Sequence, residues 1–250
     1  MHNTSYVIKF TLVMTVVVAL VLALMVSGLK GVHTENEAVY SKKTILSAVS
    51  NQLGKDVNTL SNQEIQDLFG AQIEQKVLNM SGDVLTEEQI KTATKGTATK
   101  AEQIDLAQEV KKPEADRILP LYIFTAADGK KYNILAVRGK GLWDEIWGSI
   151  ALESDWRTIA GTTFDHKGET PGLGAEIKDN ASWVAQFIGK TIYNDAGDFT
   201  SIKVIKSGAK DKTYQVDGIS GATITADGVD EMLERGLKYY EPYIEKVKKS

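Results

Sequence analysis

Residues 121–137 read LYIFTAADGKKYNILAV. Two apolar runs rich in β-branched and aromatic residues flank a polar stretch that carries Asp128-Gly129, and an Asp-Gly pair between such runs marks a tight hairpin turn. Working outward, further strands are predicted around Ile146 to Leu152, Thr158 to Phe164 and Ile202 to Ile205. Helical spacing appears instead in NASWVAQFIG and after Asp227, where Val229, Met232, Leu233, Leu237 and Tyr240 fall on one face. Hairpin-linked strands followed by a long amphipathic helix predict an α+β domain with a mainly antiparallel sheet and flanking helices, over residues 120–250.

The chain of 250 residues opens differently. FTLVMTVVVALVLALMVSGL, residues 10–29, contains no charge and lies between Lys9 and Lys30. A helix of that length covers about 30 Å, the thickness of the hydrocarbon core of a bilayer. The run exceeds the apolar core of an ordinary secretory leader, so it is read as one uncleaved transmembrane helix in contact with membrane lipid, behind a short tail, residues 1–9. Residues 30–119 are read as a helical accessory segment: Val39, Ile45, Ala48, Val49 and Leu53 form a helical stripe, and KTATKGTATK is a polar connector.

Composition removes several classes of function. With 29 basic and 33 acidic residues the formal net charge is −4 and no block of one sign is present, which argues against a nucleic-acid partner. The absence of cysteine excludes thiol catalysis and cysteine-ligated clusters, and three scattered histidines predict no metal site. Redox chemistry in this chain would need an acquired cofactor.

Glycine punctuates three stretches of the C-terminal region: RGKGLWDEIWG at 138–148, GETPGLGAEI at 168–177 and QVDGISGATITADGV at 215–229. Each is compatible with ordinary turn chemistry, and Trp143 and Trp147, four apart, read as core residues rather than stacking partners. The third stretch has a sharper reading. Small residues that lead from a strand end into an amphipathic helix leave backbone N–H groups free to bind a phosphate, with Ser220 or Thr225 as helix caps in the alternative.

The segment Asp217-Gly218-Ile219-Ser220-Gly221-Ala222-Thr223 resembles the flavinylation motif of FMN-binding domains, and GLW with ETPGLG upstream resembles the C-subunit family of sodium-translocating NADH:quinone oxidoreductases. The resemblance implies FMN joined through its phosphate to Thr223, installed by a separate FAD-dependent FMN transferase. It places Ser220, Gly221 and Ala222 about the phosphate, with Asp217 a partner in the modification and Thr225 a hydrogen-bond donor or cap. Leu142, Trp143, Glu169, Thr170, Leu173 and Gly174 are then expected to shape the flavin pocket. Asp144, His166 and Lys167 stand where the sequence departs from the family pattern.

The same resemblance implies an electron carrier within a six-subunit redox pump of the bacterial inner membrane, with its globular domain on the periplasmic or outer face. Electrons from NADH towards ubiquinone would pass through it, coupled to sodium export, while the NADH and quinone sites belong to other subunits. The chain agrees in lacking a G-x-G-x-x-G dinucleotide fingerprint. Two alternatives are the G subunit of the Rnf ion-translocating complex, and a membrane-tethered binding or scaffolding module without flavin.

Overall fold

The computed structural model describes residues 4–249 and divides them into two compact units, one up to Ser41 and one from Lys42 onward. A helix, α1 (Thr4–Ser47), accounts for the first unit and ends within the second, and among the described residues it is the one helix long and apolar enough to cross a membrane. Leu12, Leu20, Leu22 and Leu24 on it are exposed, as expected of a surface made for lipid rather than water.

The second unit is built on a five-stranded antiparallel meander. After helix α2 (Asn62–Gln72), begun by a capping box between Ser61 and Glu64, come β1 (Ile73–Asn79) and helix α3 (Glu87–Ala93). Then follow β2 (Ile118–Thr125), β3 (Lys131–Lys140), β4 (Glu145–Leu152) and β5 (Ile159–His166), each paired with the next. The β2–β3 turn closes at Ala126 to Lys130, with Gly129 at φ +83°, which is the hairpin read from Asp-Gly. A small parallel pair, β6 (Lys203–Ile205) and β7 (Gln215–Asp217), precedes helices α4 (Thr223–Lys238) and α5 (Glu241–Lys248).

Both faces of the sheet are covered, which explains why LYIF is a continuous apolar run rather than an alternating one. On one face Leu121, Ile123, Leu135 and Val137 join Met232, Leu233, Leu237 and Tyr240 of the C-terminal helices in one core. On the other, Tyr122 meets Phe69 of α2 edge to face at 6.0 Å and donates its hydroxyl to the Ala101 carbonyl. Residues 30–119 therefore are not helical throughout: β1 lies inside them as the edge strand of the sheet. Helix α2 runs directly into β1: Gly70 weakens its last turn, and from Ile73 onward the extended backbone is held by pairing with β2.

Helix α4 is drawn tightly onto β3. A β-carbon on Gly228 would lie 2.2 Å from the Lys140 carbonyl oxygen, so only glycine lets the helix approach there. Farther along, the buried Tyr240 hydroxyl sits between the carbonyls of Pro120 and Ala136, at 2.8 and 3.0 Å, and fixes the helix end to two strands. Together these contacts set where the first turn of α4 stands relative to the β3–β4 and β5 loops.

Candidate functional site

That first turn begins at Thr223, ahead of Asp227, after which the apolar spacing becomes legible. Its N-cap is Ala222, and no side chain caps it. The first pairing within the helix runs from the Ala226 N–H to the Ala222 carbonyl, which leaves the amides of Thr223, Ile224 and Thr225 without an acceptor inside the helix. The positive end of a 16-residue helix dipole adds to these donors, and small residues stand before it. Thr223 is half-buried and Ser220 is exposed.

Neither expected cap is one. The Thr225 hydroxyl is fully buried and points away from the helix start, donating to Glu169 Oε2 at 2.6 Å and to the Leu173 carbonyl at 3.3 Å. Glu169, 5% exposed, is the centre of the arrangement. Its carboxylate also accepts from the backbone N–H groups of Leu142 (3.3 Å), Trp143 (2.9 Å) and Asp144 (3.3 Å). One side chain thus gathers all three glycine-rich stretches. Burial opposes the charge on Glu169, but the Thr225 hydroxyl and the three amides outweigh it and hold the carboxyl below its ordinary range.

Space around this carboxylate is closed by glycine. Gly174 has φ +154°, and a β-carbon there would stand 2.4 Å from Thr225 Oγ1 and 2.6 Å from Glu169 Oε2. Gly221, at φ +82°, lies so close to the Gly172 carbonyl that a β-carbon would reach it at 2.6 Å, which docks the 170–174 turn on the residues before Thr223. Glu176 accepts from the Gly172 and Gly174 amides and keeps that turn in shape.

The departures from the family pattern brace the same loops. Lys167 pairs with Asp144 at 3.1 Å, and His166 Nδ1 accepts the Glu169 N–H at 3.1 Å. Asp217 is turned aside: its carboxylate accepts the Ala209 N–H at 2.7 Å, and its carbonyl accepts from Trp183 Nε1. Leu142 is half-buried and Thr170 exposed.

The tryptophans differ from the reading as core residues. Trp143 is 63% exposed, and Leu173 and Ile224 are exposed too, so each of the three glycine-rich stretches shows an apolar side chain to solvent. Glu169 fixes the Trp143 backbone, and the residue lines a cleft of about 910 Å³ together with Lys140, Arg235 and Tyr239. Trp147 is half-buried, with the Arg138 guanidinium 5.2 Å from its ring. Four-residue spacing suggested one buried face, but Trp143 lies in the loop before β4, where helical spacing has no meaning. Two features escape sequence reasoning: the exposure of Ile224 beside Thr223, and the hydrogen bonds by which Glu169 joins the three stretches. Gly141 offers a hint of the second, since a β-carbon there would lie 2.6 Å from Glu169 Oε1.

Known proteins resemble this chain in sequence and fold. A family model described as FMN-binding domain matches residues 141–238, which contain the second and third stretches whole and the first from Gly141 onward. The C subunit of the Na(+)-translocating NADH-quinone reductase of Pseudomonas aeruginosa is 34% identical over 240 residues, covering 89% of this chain and 88% of that protein. Its counterpart in Vibrio alginolyticus is 33% identical, over 96% of this chain and 95% of its own length. Among solved structures, the C subunit from Parabacteroides distasonis superposes with a TM-score of 0.71 at 31% identity, covering 86% of this chain and 96% of that one. The Shewanella oneidensis NqrC structure gives a TM-score of 0.66 at 25% identity, over 84% of this chain and 99% of that one. Near-complete coverage in both directions, at this identity and with the same fold, means that the chain belongs to the C-subunit family of the Na(+)-translocating NADH-quinone reductase.

Proposed function

We propose that this chain is the membrane-anchored FMN electron carrier of a sodium-pumping NADH-quinone reductase, with FMN joined through its phosphate to the Thr223 hydroxyl. The observation that carries the reading is the uncapped start of α4, where a half-buried threonine stands beside amides that have no acceptor within the helix. A phosphate fits those donors in charge and hydrogen bonding, and the small residues Ser220, Gly221 and Ala222 stand directly before them. Bound FMN would supply the redox chemistry, taking up and passing on electrons.

The chain's own residues bind and place it. The amides of the first turn of α4 hold the phosphate, while Leu142, Trp143, Thr170, Leu173 and Gly174 border the ring. Thr223 is an attachment point and not a nucleophile in turnover: the bond is made once, by an FAD-dependent FMN transferase, with AMP leaving as the FMN phosphoryl passes to the hydroxyl. Asp217, held by the 206–209 loop, would meet that enzyme only from its exposed side. NADH and quinone sites lie in other subunits, residues 10–29 anchor the chain in lipid, and residues 42–250 act on the outer face. Relatives named as the C subunit, matched over nearly the whole chain, favour this complex over the Rnf G subunit.

The test is co-expression with a flavin transferase, followed by denaturing electrophoresis with in-gel fluorescence, intact mass and peptide mapping. The wild type is expected to carry one FMN phosphoryl adduct on the peptide containing Thr223, and Thr223→Ala none. A colourless wild-type band beside an active transferase, or an adduct that persists in Thr223→Ala, would overturn the assignment.

A further inference from the structure

Glu169 has a feature that attachment of a phosphate does not require. It is a buried carboxylate whose hydrogen bonds come from two separate parts of the chain, the 142–144 backbone and the Thr225 hydroxyl, and among the described residues no lysine or arginine pairs with it. Its charge is balanced only by dipoles. Thr225, the partner at the shortest distance, stands two residues from Thr223 on α4, and the Trp143 N–H, another partner, belongs to the loop proposed above to border the ring.

We infer that Glu169 is a positioning residue that fixes the ring-bordering loops on the attachment helix and, as a permanent anion beneath them, sets how readily the bound flavin takes up an electron. This rests on the flavin reading above. A fixed negative charge in a site shielded from water opposes addition of an electron nearby, and weakening the donors that balance it strengthens that opposition. Two isosteric changes therefore act in opposite directions. Glu169→Gln removes the charge and keeps the side chain's shape. Thr225→Val keeps the charge and removes the donor closest to it.

Both variants of the full chain, in detergent and loaded by the transferase, are to be titrated spectroelectrochemically beside wild type, with attachment at Thr223 checked by peptide mapping. The midpoint potential is expected to rise in Glu169→Gln by a shift on the order of a tenfold change in the reduction equilibrium, ~59 mV for a one-electron couple, and to fall in Thr225→Val. Loosened loops alone would move both variants the same way, so shifts of like sign, or none, would overturn the inference. So would loss of attachment in Glu169→Gln with retention in Thr225→Val, because Glu169 would then serve the modification. Absence of flavin from wild type would instead sink the reading on which the inference rests.

Discussion

Replacing Gly174 by alanine tests whether the loop carrying Leu173 is held by the contact geometry described. Two costs arise in the folded state. At φ +154° the backbone occupies a region that residues with a β-carbon rarely enter, worth roughly 1–3 kcal/mol. The added carbon would also stand 2.4 Å from Thr225 Oγ1 and 2.6 Å from Glu169 Oε2, and neither can retreat without breaking their shared hydrogen bond, an overpacking cost of roughly 1–3 kcal/mol. The sum, roughly 2–6 kcal/mol, corresponds to a fall in Tm of about 5–20 °C for a chain of this size. Gly172→Ala provides the control: φ is +82°, but nothing lies within 4 Å of the added carbon, so backbone strain alone applies, about 1–2 kcal/mol. Thermal unfolding of the full chain in detergent, followed by near-ultraviolet circular dichroism, reads both. Equal losses in the two variants would refute the reasoning, because the difference between them is the packing of Gly174 against the Glu169–Thr225 pair.

Gly228→Ala should destabilise by roughly 1–3 kcal/mol through its contact with the Lys140 carbonyl, although helix propensity alone favours it by about 1 kcal/mol; the sign of the change in denaturant midpoint decides. Tyr240→Phe leaves the Pro120 and Ala136 carbonyls without their buried donor and should cost about 1–3 kcal/mol, seen as a lower urea midpoint at unchanged m. Acid titration gives a further check. The folded-state pKa of Glu169 lies below its unfolded value, so its contribution is present above the unfolded pKa and lost as pH falls through the folded one. The stability gap between wild type and Glu169→Gln should narrow on acidification below the ordinary glutamate range, and a gap independent of pH there would show that the charge is not involved.

The parts of the fold visible in sequence are those governed by local chemistry. The Asp128-Gly129 turn, the strands on either side of it and the stripe from Val229 to Tyr240 each follow from contiguous residues. Strand β1 does not, because Ile73 to Asn79 follows α2 with no intervening loop and owes its extension to β2, which lies far along the chain. Exposure of Trp143 is equally hidden, since an indole's burial depends on what the fold puts over it. For the site, order and composition of the three stretches mark the candidate residues, whereas their assembly is not legible: Glu169 reaches its partners across separations of 25 to 56 residues.

The chemistry of that assembly explains why the position carries a glutamate and not a glutamine. Four donors converge on one side chain: three backbone N–H groups, which can only donate, and the Thr225 hydroxyl, whose other neighbour is the Leu173 carbonyl. An ionised carboxylate is acceptor-only and satisfies all four. A glutamine offers one acceptor oxygen, and its amide would face at least one backbone donor, leaving it buried and unpaired. Apolar packing could join the loops but could not satisfy the 142–144 amides, which are turned inward by the bend before β4. The turn that presents Trp143 to solvent is therefore best matched by an anion behind it. A neutral side chain of the same shape leaves a donor of that turn unpaired and removes the negative field that the turn encloses.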